Sequence, residues 1–79
     1  MSRAHKIFIR THKRDSAFVY AVLEAHEGLA AYTTLPHKHH SQTRELELLV
    51  SDAMKADLER VLQELAPQVE ILEADPSKA

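Results

Sequence analysis

The sequence predicts an α+β sandwich built as one domain. Four antiparallel strands form one sheet, and two helices lie on one of its faces. Three observations predict it. Two segments alternate apolar and polar residues at the strand period, and two others carry apolar stripes at the helical period. The order of these segments is strand, helix, strand, strand, helix, strand. A length of 79 residues leaves room for one domain, spanning 1–79, with an ordered part of about 5–73 and short loose ends.

Strand 1 is "HKIFIRT", residues 5–11, where Ile7 and Ile9 alternate with Lys6, Phe8 and Arg10. Helix 1 follows, with Asp15 or Ser16 as its N-cap and Gly28 just past its end. Its apolar arc is Phe18, Val19, Val22, Leu23 and Ala25, and Tyr20, Glu24 and Glu27 fall opposite. Strand 2 covers residues 29–35 and stops at Pro36. Strand 3, residues 44–50, sets Leu46, Leu48 and Val50 on one side. Ser51 or Asp52 caps helix 2, whose stripe is Met54, Leu58, Val61, Leu62 and Leu65, with Pro67 as its stop. Strand 4, residues 68–73, turns Val69 and Ile71 inward. Right-handed crossovers then give the strand order 4-1-3-2 of a ferredoxin-like βαββαβ sandwich.

Composition narrows the chemistry. The chain is 44% hydrophobic and 28% charged, as expected of a globular domain. It has no cysteine, which excludes disulfides, thiolate metal sites and cysteine nucleophiles. No apolar run reaches the roughly 20 residues of a membrane span, and none near the start fits a signal peptide. A cytoplasmic protein with no membrane partner is expected. Through Arg44, seven Lys/Arg face three Asp/Glu; from Glu45 on, three face nine. All six histidines lie in the basic part, so the surface is expected to be dipolar.

Three places could hold a function. The first is "LPHKHHSQ", residues 35–42, at the hairpin tip. In an extended segment His37 and His39 project to one side, and His40, His12 or Asp15 could complete a Zn, Ni or Cu shell. The same loop also reads as exposed polar residues of a hairpin tip, since no HExxH helix or spaced Cys/His set accompanies it. The second is a set of cations, Arg10, Lys13, Arg14, Lys38 and Arg44, gathered near the N-terminus of helix 1, where an anion could dock. These also read as solubilising charges, because the chain lacks a Gly-rich phosphate loop. The third is the open sheet face, with Phe8, Leu49 and Leu72 and with Tyr32 joining them, as the interface of a homodimer. His26 falls inside the apolar arc of helix 1 and reads as a partly buried histidine satisfied by a carbonyl.

Other chemistries lack their residues. Base stacking on a sheet needs aromatic side chains on strands 1 and 3, and only Phe8 is there, so no nucleic-acid partner is expected. "THKRDS" lacks the glycines of an acylphosphatase-type phosphate cradle. Ser16, Ser41 and Ser51 have no His/Asp set around them.

"KRDSAF" at residues 13–18 and "LEAHEGLAAYTTL" at residues 23–35 resemble a family of short bacterial proteins catalogued only as a domain of unknown function. The likeness covers most of the chain and is strongest around Gly28. It implies a small α/β domain and no particular chemistry. "PHKHHSQT" lies outside the shared pattern, and His26 stands where that pattern has an aromatic residue. The topology is also similar to ACT-like regulatory domains, which bind amino acids or other small effectors at dimer interfaces. Those usually carry a glycine after strand 1, and "THKRDS" has none. The leading expectation is a non-enzymatic regulatory or interaction module that self-associates through its sheet, with a small effector or a protein as a further partner. The alternative is a metal-binding protein using the histidine-rich hairpin.

Overall fold

The computed structural model describes residues 3–78. Its elements are β1 (Ala4–His12), α1 (Ser16–Ala25), β2 (Ala31–Thr34), β3 (Thr43–Ser51), α2 (Lys55–Glu64) and β4 (Val69–Leu72). Short 3₁₀ turns occupy Lys13–Asp15, Asp52–Met54 and Pro76–Lys78. The strands form one antiparallel sheet in the order β2-β3-β1-β4, a ferredoxin-like arrangement. Two nine-residue strands make its centre and pair over their whole length, from Ala4↔Ser51 to His12↔Thr43. The two edge strands have four residues each. Of the ends expected to be loose, Met1, Ser2 and Ala79 lie outside the described residues. The segment before Ala79 is a closed turn in which Ser77 donates from N and Oγ to the Asp75 carboxylate.

Strand periodicity sorts the side chains. Ile9, Leu46, Leu48, Val50 and Val69 share one core with Val19 and Leu23 of α1 and with Leu58, Val61 and Leu62 of α2. Both helices therefore cover the same face. Thr11 is the one buried polar residue among those described, and its hydroxyl donates to the Gln68 carbonyl at 2.7 Å. Gly28 sits at φ +81°, a left-handed position that costs a side chain strain. The turn it makes drops Leu29 into the core, so β2 starts at Ala31 rather than residue 29.

Several local expectations are corrected. Neither helix has a side-chain N-cap. Ser16 Oγ donates back to the Lys13 carbonyl and closes the preceding 3₁₀ turn. Asp52 instead accepts a contact from His5 Nε2 at 2.7 Å, while its N–H donates to the Arg3 carbonyl. Phe18, placed in the apolar arc, is 56% exposed, because the buried side of α1 centres on Val19 and Leu23 with Tyr20 and Val22 beside them. His26 is exposed as well. Ile71 pairs with Ile9 on the helix side, yet it is 48% exposed at the sheet edge.

Candidate functional site

The topology gathers three loops at one end of the sheet. The Lys13 N–H donates to the Gln42 carbonyl, which ties the hairpin tip to the start of α1. Thr11 holds the loop before β4 at the same end. His12 sits here, paired with Thr43. His37, His39 and His40 are all exposed on the hairpin tip. The His39 and His40 rings meet edge to face, with centroids 4.6 Å apart. A turn closed by Ser41 N–H to the Lys38 carbonyl breaks the extended path that would have set His37 and His39 side by side. Among the described residues, no three His, Cys, Asp or Glu side chains come together as a metal-holding group.

The cation set is dispersed. Arg10 lies on the open face and donates from Nε and Nη2 to Glu45 Oε2, at 3.0 and 2.5 Å, with Glu70 3.8 Å from Nη1. Arg44 pairs with Thr11, so it projects to the other face. Its Nη1 donates to the carbonyls of Ser41 and Thr43 and braces the hairpin. Lys13, Arg14 and Lys38 are exposed on the loops. Two of the five cations are thus committed to the fold, on opposite sides of the sheet.

The open face is the most organised surface. Register places Phe8 directly across from Leu72 on one side and Glu47 on the other. Leu49, 45% exposed, lies opposite both Lys6 and Ala31. Lys6 meets Glu47 at 3.2 Å, and Arg10 bridges Glu45 and Glu70. These cross-strand pairs stabilise the sheet by a few tenths of a kcal/mol up to about 1 kcal/mol each. They also engage both cations of these pairs, Lys6 and Arg10, with three carboxylates.

Tyr32 does not belong to this face. It pairs with core-facing Leu48, so its ring turns toward the helices. There it stacks on Tyr20, with centroids 5.2 Å apart and planes 17° from parallel. Its hydroxyl donates to Glu24 Oε1 at 2.6 Å, and the Tyr20 hydroxyl meets Thr34 Oγ1 at 2.7 Å. The hydrogen bond to Glu24, partial burial and the carboxylate's charge together raise the Tyr32 phenol above its ordinary value of 10.0. This cluster seals the β2 edge against α1. Sequence reasoning missed it because "AYTT" contains no alternation that would assign Tyr32 to a face.

The remaining relief is shallow. One depression of about 300 Å³ lies beside the short β4 edge, lined in part by His5, Ile7, Lys55, Glu59 and Ile71. Among the described residues, no buried side-chain nitrogen or oxygen lacks a hydrogen-bond partner. No described helix is long and apolar enough to cross a membrane. No family model, curated protein or solved structure matches the chain.

Proposed function

We propose that this protein is a non-catalytic interaction module that self-associates through the open face of its sheet. The observation that carries this reading is the make-up of that face. Phe8 and Leu72 form a half-buried apolar pair, Leu49 stands exposed beside them, and both flanking cations are already engaged, Lys6 with Glu47 and Arg10 with Glu45, with Glu70 at 3.8 Å on the exposed edge. Covering the centre of such a face desolvates the pairs Lys6–Glu47 and Arg10–Glu45 and leaves Glu70, the one carboxylate of the three without a cation of its own, at the exposed sheet edge, so the costly case of a lone buried charge is avoided. Size supports the same reading. A 79-residue domain has a small core, and without cysteine a partner subunit is a natural staple.

The scale of the contact follows from the strands. Two nine-residue and two four-residue strands, at about 3.3 Å per residue and 4.8 Å spacing, present roughly 400 Å² of flat face. That is about half of what each partner buries in a standard interface, which places the contact in the weak, reversible class. Amide spectra recorded from about 50 μM to 1 mM test it, a range suited to micromolar affinity. Concentration-dependent shifts are expected at Lys6, Phe8, Glu47, Leu49 and Leu72. Spectra that stay constant at these positions over the whole range would refute the reading.

A further inference from the structure

The two helices lie side by side on the same core but differ in what they show to solvent. The exposed side of α2 is mostly charged or polar: Glu59, Arg60, Gln63 and Glu64. The exposed side of α1 is Ala17, Phe18, Ala21 and Ala25, with Glu24 at its margin. Glu24 is the one charged residue in the ten of α1, and its carboxylate already accepts from Tyr32. A helix that is apolar all round is expected to be covered on every side. A single exposed Phe needs no explanation, but a whole helix face without a free charge does.

The ends of α1 indicate what covers it. No acidic residue lies in its first turn and no basic residue in its last. Lys13 and Arg14 instead precede the start and outweigh Asp15, while Glu24 and Glu27 stand at the finish. His12 and His26 flank the two ends. This distribution opposes the helix dipole at both ends. Among the described residues, the side chains of Lys13, Arg14 and Glu27 make no ion pair. A second α1 laid antiparallel resolves both features. Its cationic start falls beside the anionic finish of the first, and its apolar face covers the other. Ala17 and Ala25 are evenly spaced about Ala21, so a two-fold axis there sets alanine against alanine and lets the axes approach to about 8 Å, with the Phe18 rings packing alongside.

We infer that the outer face of α1 is a second self-association surface, docking antiparallel on α1 of another copy. It lies on the opposite side of the molecule from the open sheet face, and it stands whether or not that face is also a contact. Sedimentation velocity of the full chain tests it on wild type, Ala21→Glu, Arg14→Glu and Arg14→Glu/Glu27→Arg. Circular dichroism confirms their fold, since all three positions are exposed. Ala21→Glu is expected to abolish the α1 contact. Arg14→Glu sets like charges together and is expected to weaken association about fivefold, and the double swap is expected to restore it. Leu49→Lys separates the two surfaces, because the α1 contact survives it. A strictly monomeric wild type, an Ala21→Glu variant that associates like wild type, or a swap that fails to restore association would overturn the inference.

Discussion

Replacing Thr11 by valine tests how the loop-bearing end of the sheet is held. Thr11 is 2% exposed, and its hydroxyl donates to the Gln68 carbonyl at 2.7 Å. Valine keeps the shape and loses the donor. A net intramolecular hydrogen bond contributes about 1 kcal/mol. The added methyl would return up to about 0.8 kcal/mol in a dry apolar pocket, but here it meets a carbonyl oxygen, so the gain is not realised. The bond is part-buried and Gln68 is an exposed residue, so the expected cost is the net value of about 1 kcal/mol rather than the roughly 3 kcal/mol of a fully buried orphan. For 79 residues at about 2.1 cal/mol/K each, the unfolding entropy is about 170 cal/mol/K, so the melting temperature should fall by about 6 °C. Thermal and urea unfolding by circular dichroism measure this, with an unchanged m-value. Faster amide exchange at Val69 should accompany it. An unchanged or raised melting temperature would show that this bond does not hold the loop.

Three further outcomes are expected. The raised Tyr32 phenol is stabilising in its protonated form, so its contribution is complete below about pH 10 and is lost as pH rises through the folded value. Urea titrations should therefore show wild type losing stability more steeply above pH 10 than Tyr32→Phe, and parallel curves would contradict this. Gly28→Ala meets no atom within 4 Å but must hold φ near +81°, so it should cost about 1 kcal/mol, all of it from the backbone. A loss near zero would mean the turn relaxes. Calorimetric titration with zinc should give the same weak binding for wild type and His37→Ala/His39→Ala, since among the described residues no three ligand side chains gather at the tip. Tight binding lost in the double variant would make the loop a metal site.

The central strands were legible because Ile7 and Ile9 of β1 and Leu46, Leu48 and Val50 of β3 recur at every second position, and that period identifies a face. The order of elements followed from that and from the stripe of α2. Edges and ends were harder to read. "AYTT" has no alternation, so the face of Tyr32 depended on hairpin register, and an irregular eight-residue connection does not fix register. Phe18 was misplaced because α1 is apolar on nearly every side, so periodicity cannot say which side is buried. Asp52 looked like a cap and was taken by His5, 47 positions away in sequence. The cations looked like one cluster because sequence proximity at a sheet end does not reveal that Arg10 and Arg44 project to opposite faces.

The measurement that bears most directly on the proposed function is the sedimentation velocity of wild type beside Leu49→Lys, from about 10 μM to 1 mM, the range in which a contact this small should assemble. Leu49 is 45% exposed, so lysine there leaves the fold intact while replacing an apolar side chain of the face with a second cation directly across from Lys6. Wild type is expected to show a sedimentation coefficient that rises with concentration, and Leu49→Lys a sheet contact at least about tenfold weaker. A wild type that sediments as a monomer throughout, or a variant that assembles just as wild type does, would contradict the proposed function.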